Sequence, residues 1–459
     1  MGRLFGTDGI RGIAGEQLTA QMAYRLGVAL AQVLRDKGND HPLVLIGKDP
    51  RLSGDLLEAS IASGLMAGGA EAGIVGLTTT PAIAYLIRER GADAGVMISA
   101  SHNAAPYNGL KVFGDDGYKI PDEDEERIER VILEEEAACT VSHPAIGRIL
   151  DLREENRRYE AHVRGILAEN APKGEVVKRR ILFDLSHGSA AATAREIFTS
   201  DTMYGYEAEF LSDTPDGANI NNNCGSTHLS VLADAVVKGG YDMGFAFDGD
   251  ADRCLAVDER GETIDGDMLI AALAADRAER GRAGDGMAVV TVMTNLAFHL
   301  FCKERGIEVA ITDVGDRYVL REMLRIGAGI GGEQSGHIIL PEYATTGDGQ
   351  VTAAVALGLL ARSGERTASQ VFGVMRPLPQ VTRNVTVPQE AKKRVLAHPD
   401  LAACSERVTE RLNGKGRVLI RASGTESLIR IMLEGERQEE IERYGEELSE
   451  LVKRICGVQ

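Results

Sequence analysis

The sequence predicts an α/β fold with mixed sheets, distributed over four domains. Short runs rich in Val, Ile and Leu alternate with longer amphipathic segments along the 459 residues, as strands and helices alternate in α/β proteins. Glycine is abundant, with 53 residues, which suits many tight turns between strands and helices. A chain of this length exceeds what one hydrophobic core supports, so several domains are expected.

Each element follows from its own local pattern. Apolar residues that recur every three or four positions on an otherwise charged segment indicate helices, and short apolar runs bounded by glycine or charged residues indicate strands. The predicted helices cover residues 19–37, 55–68, 122–136, 151–170, 268–280 and 438–454. The predicted strands cover residues 41–49, 95–99, 179–185, 243–247, 287–293, 308–312, 416–421 and 428–434.

Three breaks in this alternation indicate the domain boundaries. The charged segment 151–170 reads as a connection out of the first domain, and the strand–helix cycle restarts at Arg179 and again near Gly261. A proline-rich stretch begins at Arg376 and marks the third break. We therefore expect four domains, at residues 1–155, 156–258, 259–375 and 376–459.

Composition excludes several classes of partner. The formal net charge of −18 argues against a nucleic acid or an anionic membrane as the partner. No apolar run approaches the roughly 18 residues of a membrane span. The six cysteines are far apart and lack the spacing of a zinc site, so reduced thiols in the cytoplasm are expected.

Ser101 is the first candidate for chemistry. It follows an apolar strand in the segment 97–103, beside His102 and Asn103 and upstream of Lys111. A serine hydroxyl becomes reactive only when a base, a metal or an attached phosphate alters its chemistry, and a phosphoserine could donate its phosphoryl group to a bound alcohol. Lys111 could neutralise that group or exchange protons with a sugar hydroxyl. The segment taken alone is also compatible with a simple capped turn.

Asp248, Asp250 and Asp252 form the second candidate, a metal site. Alternate positions of a loop place side chains on one side, so the three carboxylates can converge on one hard cation. An EF-hand would place Glu259 at its twelfth position, but it requires glycine where Arg253 stands and helices where strands are predicted. Three protein oxygens leave positions open for water and a substrate phosphate, which suits Mg²⁺. A solvated acidic loop is the alternative.

The segment 331–337 is the third candidate, a sugar-binding loop. Glu333 and Ser335 stand between glycines and could bind hydroxyl groups, with His337 near a titrating oxygen. An ordinary turn is the alternative. The overlapping segment 327–332 matches the Gly-x-Gly-x-x-Gly pattern but follows a helix and opens none, so a dinucleotide site is not supported.

A phosphate clamp is predicted between Arg421 and Arg430. The hydroxyls of Ser423 and Thr425, backbone N–H groups around Gly424 and the two guanidinium groups supply many anion donors in ten residues.

The segments 5–12 and 47–54 contribute Arg11, Lys48 and Arg51 as further cations. Together these cations could gather a phosphate ester against the negative charge of the whole chain.

These segments, in this order and spacing, resemble those of the α-D-phosphohexomutase superfamily. The resemblance runs from Phe5 to about Gly435, and no single motif would establish it. It implies four domains around a central cleft, of which three are related α/β units and the last is a smaller phosphate-binding α+β domain. It also implies a phosphohexomutase, an isomerase that transfers a phosphoryl group between two positions of one sugar.

The resemblance assigns a role to each candidate residue. Ser101 would carry the phosphoryl group and, with Asp248, Asp250 and Asp252, hold one Mg²⁺. The implied catalytic residues besides Ser101 are Arg11, Lys111 and His337, with Arg253 near the transferring group. The implied substrate-binding residues are Glu333, Ser335, Arg421, Ser423, Gly424, Thr425 and Arg430.

The forms of three motifs favour the branch that interconverts glucosamine 6-phosphate and glucosamine 1-phosphate and so feeds UDP-N-acetylglucosamine synthesis. Glucosamine 1,6-bisphosphate or glucose 1,6-bisphosphate would serve as activator. The expected partner is a small phosphosugar, with no nucleic acid and no membrane, and a homodimer is left open. A phosphoglucomutase or phosphomannomutase, a metal-dependent sugar phosphatase and a non-catalytic sugar-phosphate binding protein are the alternatives.

Three positions depart from the usual family pattern. Ala104 replaces a proline after Ser-His-Asn, Ala251 replaces a frequent glycine between the metal carboxylates, and Ser427 replaces a frequent proline. None of these changes removes a functional side chain, so only the rigidity of the loops is affected.

Overall fold

The computed structural model describes most of the chain as two compact units. The described residues are 4–6, 8–133, 140–174, 176–199, 205–282, 284, 286–422 and 427–457. One unit comprises Met1–Met293 and Gly306–Val374, and the other comprises Thr294–Arg305 and Met375–Gln459. No helix in the described ranges is both long enough and apolar enough to cross a bilayer.

A six-stranded mixed sheet organises the beginning of the larger unit. Its strands and helices are β1 (Ile10–Ile13), α1 (Ala20–Asp36), β2 (Leu43–Lys48), α2 (Gly54–Ala67), β3 (Glu71–Leu77), α3 (Thr80–Arg90), β4 (Ala94–Ile98), β5 (Tyr107–Gly114), α4 (Asp122–Leu133) and β6 (Ile149–Asp151). The strand order is β1-β5-β4-β2-β3-β6, in which β4, β2, β3 and β6 are parallel and β1 and β5 antiparallel to their neighbours. Apolar residues of α1, α2 and α4 pack on one face of the sheet.

A five-stranded sheet follows the connecting helix α5 (Asn156–Asn170). Its elements are β7 (Arg179–Asp184), α6 (Ala194–Ile197), β8 (Tyr206–Leu211), α7 (Leu229–Gly239), β9 (Met243–Phe247), β10 (Cys254–Asp258) and β11 (Thr263–Ile264). The order is β11-β10-β9-β7-β8, with β9, β7 and β8 parallel and β10 and β11 antiparallel.

A four-stranded sheet completes the larger unit. Its elements begin with α8 (Gly266–Arg280) and β12 (Met287–Thr291); the next helix, α9 (Leu296–Arg305), belongs to the smaller unit. The remaining elements are β13 (Glu308–Thr312), α10 (Asp316–Ile326), β14 (Ile330–Gly332), β15 (Ile338–Ile339), α11 (Gly349–Arg362) and α12 (Ala368–Phe372). The order is β13-β12-β14-β15, parallel except for β15.

The smaller unit contains a three-stranded antiparallel sheet with helices. Its further elements are β16 (Gln380–Thr386), α13 (Lys392–Leu396), α14 (Pro399–Arg411), β17 (Gly416–Ala422), β18 (Leu428–Gly435) and α15 (Gln438–Cys456), with the order β16-β18-β17. Apolar residues of α14 and α15 pack with those of the strands into one core.

The prediction of an α/β fold with mixed sheets and a C-terminal α+β domain is confirmed. One helix differs from its prediction: residues 149–151 form an edge strand and Arg153–Glu155 a short 3₁₀ turn, so α5 begins only at Asn156. The reason is that β3 offers unpaired backbone groups at the edge of the sheet, and residues 149–151 pair with them. The last residues of the predicted helix 122–136 lie outside the described ranges. The domain boundaries stay predictions, and β11 joins the second sheet beyond residue 258.

Candidate active site

Ser101 lies in a buried loop directly after β4. Its backbone has φ +52°, a left-handed conformation that costs a non-glycine residue about 1–2 kcal/mol, so the surrounding loop must enforce it. Ser99 accepts the Ser101 N–H at 2.9 Å and in turn donates its hydroxyl to Asp49 at 2.6 Å. The Ser101 hydroxyl donates to Oδ2 of Asp248 at 2.5 Å. The nucleophile candidate is therefore already in contact with the second candidate site.

The three aspartates of that second site converge in the turn between β9 and β10. Oxygens of Asp248, Asp250 and Asp252 all lie within 4.8 Å of one another, and the three side chains are buried. Ala251 has φ +57°, which curls the turn, and its carbonyl accepts the Gly349 N–H at 2.9 Å at the start of α11. Both flanks of the turn are strands, so the EF-hand alternative is excluded.

The residues in this turn fit a magnesium ion. One oxygen each of Asp250 and Asp252 (Oδ1) is buried with no hydrogen-bond partner among the described residues. Buried carboxylate oxygens without a partner are costly unless a cation binds them, and Mg²⁺ prefers oxygen ligands. Burial raises the pKa of Asp248 well above its usual range, and the neighbouring carboxylates Asp252 and Asp250 raise it further, so a cation at this turn would stabilise the ionised form.

Lys111, on β5, is the central cation of the site. Its ammonium lies 2.8 Å from Asp250 and 3.2 Å from Asp252, and the side chain is 1% exposed. Burial opposes its charge, but Asp250, Asp8 and Asp252 outweigh that effect and raise the pKa of Lys111 well above its usual range. Lys111 is thus held as a cation, which suits charge neutralisation better than proton abstraction.

Three further charged residues surround Lys111, and the sequence analysis missed them. Asp8 lies 3.0 Å from Lys111 and 2.7 Å from Lys119, and Lys119 lies 2.5 Å from Asp316 at the start of α10. Arg11 also contacts Asp8, and its side chain keeps about a quarter of its surface exposed. Asp8 belongs to the segment 5–12, from which only Arg11 was selected, whereas Lys119 and Asp316 lie outside the recognised motifs; the three meet only in the folded chain.

The loop 333–337 joins the same cluster through His337. Nδ1 of His337 lies 3.7 Å from Asp252, and Nε2 lies 3.9 Å from Asp316. Nε2 also accepts the Gly347 N–H at 3.1 Å, and a side chain at Gly347 would collide with the imidazole ring. Burial lowers the pKa of His337, but its carboxylate neighbours, Asp252 foremost, raise it overall.

Glu333 and Ser335 occupy the turn of this loop. Glu333 accepts the Gly315 N–H at 3.0 Å, which ties the loop to the start of α10. The hydroxyl of Ser335 is buried with no hydrogen-bond partner among the described residues, as expected of a group that binds a ligand. The helix expected of a dinucleotide site is absent, because the strand β14 occupies the end of the Gly-x-Gly-x-x-Gly segment.

The cations of the two N-terminal motifs have different partners. Lys48 pairs with Asp55 and Glu58, each at 2.6 Å, and Arg51 pairs with Asp49 at 2.9 Å. Both residues are therefore paired with carboxylates within the protein, and a contribution of Lys48 to phosphate binding stays a prediction.

His102 and Arg253 lie beside the Ser101–Asp248 contact. Burial, with Arg253 and Arg11 nearby, lowers the pKa of His102 to about 4, so the imidazole is neutral, and its Nδ1 lies 3.3 Å from the Ser101 hydroxyl. The backbone N–H of Arg253 donates to Asp248 at 3.2 Å, and Nε lies 3.9 Å from Asp252.

The predicted phosphate clamp belongs to the smaller unit. Arg421 on β17 lies directly opposite Arg430 on β18, and Arg430 lies opposite Asn384 on β16, whose Oδ1 accepts from its Nε at 3.1 Å. Two arginines at paired positions of antiparallel strands lie on the same face of the sheet, as the binding of one anion by both would require. Ser423, Gly424 and Thr425 lie outside the described residues. Asn384 was not predicted.

Family comparisons cover nearly the whole chain. Residues 2–138, 158–261 and 265–378 match the models for phosphoglucomutase/phosphomannomutase alpha/beta/alpha domains I, II and III, and residues 383–451 match the C-terminal domain of the same family.

Solved structures share the fold. A phosphoglucomutase/phosphomannomutase family protein from Burkholderia thailandensis aligns with a TM-score of 0.78 at 22% identity, over 98% of this chain and 97% of that one. N-acetylphosphoglucosamine mutase from Aspergillus fumigatus, in complex with GlcNAc-6P and magnesium, aligns with a TM-score of 0.68 at 17% identity, over 99% and 96%.

Curated relatives are much closer in sequence. A phosphoglucosamine mutase from Caldicellulosiruptor saccharolyticus is 45% identical over 99% of both chains. A phosphoglucosamine mutase from Clostridium botulinum is 47% identical over 98% of this chain and 99% of its own length. With four consecutive domain matches and full-length identity at this level, the chain belongs to the phosphoglucosamine mutase family of the α-D-phosphohexomutase superfamily.

Proposed function

We propose that this enzyme interconverts glucosamine 6-phosphate and glucosamine 1-phosphate through a phosphorylated Ser101. The observation that carries the proposal is the 2.5 Å contact between the Ser101 hydroxyl and Asp248, beside two carboxylates and the buried Lys111. A hydroxyl held against a hard-metal site and a fixed cation is what phosphoryl transfer requires, because catalysis of this reaction rests on positioning and charge neutralisation.

The reaction has two transfers. Phosphoserine 101 gives its phosphoryl group to the free hydroxyl of the sugar phosphate, which forms a 1,6-bisphosphate; the bisphosphate turns end for end, and Ser101 takes back the other phosphoryl group. In each transfer one P–O bond forms as another breaks. Lys111 and Arg11 would neutralise the moving group, and His337 would exchange a proton with the sugar oxygen.

One Mg²⁺ would be held by Asp248, Asp250, Asp252 and an oxygen of the phosphoserine. When bound, the ion withdraws charge from the phosphoryl oxygens and from the leaving group. Thr80 supports this set, because its hydroxyl donates to Oδ2 of Asp250 at 2.5 Å and leaves Oδ1 for the metal.

Substrate recognition would be divided between two groups of residues. Glu333 and Ser335 would bind sugar hydroxyls, and Arg421, Ser423, Gly424, Thr425 and Arg430 would bind the phosphate that is not reacting. The unpartnered hydroxyl of Ser335 and the facing Arg421 and Arg430 support this division.

Two further assignments complete the proposal. Glucosamine 1,6-bisphosphate or glucose 1,6-bisphosphate would activate the enzyme by phosphorylating Ser101 before the first turnover. A cytoplasmic location agrees with a phosphosugar substrate and with the free thiols of the described cysteines, all of which lack a disulfide partner.

Side-by-side assays of three 6-phosphates test the proposal. Glucosamine 6-phosphate, glucose 6-phosphate and mannose 6-phosphate are compared with the matching 1,6-bisphosphate supplied. We expect the highest kcat/KM with glucosamine 6-phosphate, because its C2 ammonium needs hydrogen-bond acceptors and the loop 333–337 can offer the Glu333 carboxylate. The preference should be partial, because the three substrates share the phosphate and most hydroxyl groups. An equal or reversed preference would assign the enzyme to phosphoglucomutase/phosphomannomutase activity, and release of inorganic phosphate would indicate a phosphatase.

A further inference from the structure

The side chain of Arg51 is fully buried beneath the Ser101 loop, and every one of its N–H groups has an acceptor. Its Nε donates to Asp49 at 2.9 Å. Its two terminal nitrogens donate to the backbone carbonyls of four loop residues: Ser101 at 2.9 Å, Asn103 at 2.8 Å, Ala104 at 2.6 Å and Tyr107 at 2.9 Å. A guanidinium has five N–H donors, so none remains for a phosphate.

Asn221, in the second α/β domain, also donates hydrogen bonds to the Ser101 loop. Its amide nitrogen donates to the carbonyls of Ser101 at 2.9 Å and Asn103 at 3.1 Å. Asn221 itself has φ +58°, an unusual conformation that asparagine tolerates better than most residues. Gly249 lies in the turn between β9 and β10 that carries Asp248, Asp250 and Asp252, hereafter the metal turn. A Cβ at Gly249 would come within 2.5 Å of the Ser101 carbonyl oxygen, so only glycine permits this close approach.

We propose that Arg51 and Asn221 are positioning residues for the phosphoserine. They fix the carbonyl of Ser101 from two domains and so hold Ser101 in its left-handed conformation, with Oγ directed at Asp248. The proposal rests on the proposed function, since it concerns the direction in which Ser101 delivers its phosphoryl group. A displacement of about 1 Å from the reactive geometry can lower a rate by about 100-fold.

The charge distribution separates this role from substrate binding. Asp49 lies against Arg51 in the interior and balances its charge, and both side chains are 0% exposed. Arg51 thus acts through hydrogen-bond geometry, and a lysine at this position would retain the charge but supply only three donors for the five acceptors.

The test compares Arg51→Lys with Arg179→Lys. Arg179 is also a buried arginine that donates to backbone carbonyls, those of Gly364 and Arg366. It is the first residue of β7, however, and so lies at the end of the sheet opposite to the metal turn. We expect Arg51→Lys to lower kcat by about 100-fold with KM within about threefold of wild type, and to slow transfer of phosphate from glucose 1,6-bisphosphate to Ser101, followed by intact mass. Arg179→Lys should leave both rates close to wild type even where it lowers the Tm.

If Arg51→Lys does not fold, Asn221→Ala tests the positioning role instead. A fall in kcat of about tenfold or more at unchanged KM supports the proposal, as does the same pattern in Arg51→Lys. A wild-type kcat in the folded variants, or an effect confined to KM, overturns it. If wild-type enzyme itself takes up no phosphate on Ser101 from the bisphosphate, the proposed function has failed, an outcome distinct from failure of the positioning role.

Discussion

The hydroxyl of Ser101 donates a hydrogen bond to Asp248 at 2.5 Å, although 147 positions separate the two residues in the sequence. The contact joins the loop after β4 to the turn after β9, and each of these strands ends at this point. Ligand sites in α/β sheets commonly lie at the carboxyl ends of strands, and here two sheets contribute one residue each to a single contact. The proposed nucleophile and a proposed metal ligand are therefore in direct contact.

Replacement of Ser101 by alanine removes the hydroxyl that we propose accepts and donates the phosphoryl group. We expect kcat to fall by several orders of magnitude while sugar-phosphate binding persists, since the carboxylates and cations stay in place. Steady-state kinetics and calorimetric binding of glucosamine 6-phosphate measure the two effects. Ser60→Ala, on α2 away from the site, is the matched control, and turnover close to wild type in Ser101→Ala would contradict the phosphoserine mechanism.

Removal of the metal should abolish activity, and added Mg²⁺ should restore it. In Asp250→Asn this restoration of activity by Mg²⁺ should be weaker. The substitution reduces the negative charge that faces the cation and also disturbs the contact with Lys111 at 2.8 Å. A titration of EDTA-treated enzyme with Mg²⁺ gives the concentration for half-maximal activity, which we expect to rise in the variant. Asp234→Asn, at an exposed pair with Lys238, is the control. Full activity after exhaustive chelation would show that the turn serves another purpose.

Arg421→Ala should raise KM for the phosphosugar. A charge-assisted hydrogen bond contributes about 1.5–3 kcal/mol, which corresponds to a rise of about 10- to 150-fold. A lower kcat is also expected, because the bisphosphate must be bound again after it turns. Arg407→Ala, in the same unit but paired with Glu447, controls for a general loss of charge. Unchanged kinetics in Arg421→Ala would place the phosphate clamp elsewhere.

Ala251 should accept glycine but not valine. Its φ of +57° lies in the left-handed region, which glycine adopts freely and β-branched residues avoid. Ala251→Gly exchanges backbone strain for a lost methyl contact, so we expect stability to change by less than about 1 kcal/mol. Ala251→Val should cost about 1–3 kcal/mol and weaken Mg²⁺ activation. Thermal unfolding and Mg²⁺ titration test both variants, and equal behaviour of the two would contradict the backbone argument.

Asp348 should make stability depend on pH. This residue caps the N-terminus of α11 and accepts hydrogen bonds from the Tyr159 hydroxyl and the Val351 N–H. Burial raises its pKa to about 7 from an ordinary value of 3.8. Between these two pKa values the folded state retains a proton that the unfolded state has lost, so the stability due to this group is complete below the lower value and declines as pH rises towards about 7. The decline is at most about 1.4 kcal/mol per pH unit.

The variant Asp348→Asn has no titratable group at this position. The difference in Tm between this variant and wild type should therefore shift in favour of the variant as pH rises from about 5 to about 7. Scanning calorimetry at several pH values measures this difference. A difference that stays constant across the range would show that Asp348 is ionised in the folded protein.

Much of the fold could be predicted because its elements have strong local patterns. The strands β9 and β13 and the start of α15 lie where apolar periodicity predicts them. The edge strand at 149–151 could not be predicted, since its residues form a strand only because β3 offers a free edge.

The residues of the candidate site likewise include some that the sequence could predict and some that it could not. Ser101, Lys111 and the aspartates of the metal turn could be recognised because each stands in a motif at a strand. Asp8, Lys119 and Asp316 could not, because their role comes from contacts between distant segments. The sequence also marked Arg51 as a cation near phosphate, whereas all of its donors are bound within the protein. Residue type alone does not distinguish these two uses of an arginine.

The position of Lys111 limits how freely domains can be recombined within this family. Its ammonium is shared between Asp8 of the first domain and Asp250 and Asp252 of the second. Separation of the two domains would leave Lys111 without two of its counter-ions and the aspartates without this cation. A chimera that exchanges one of these domains preserves catalysis only if the incoming domain restores this charge balance.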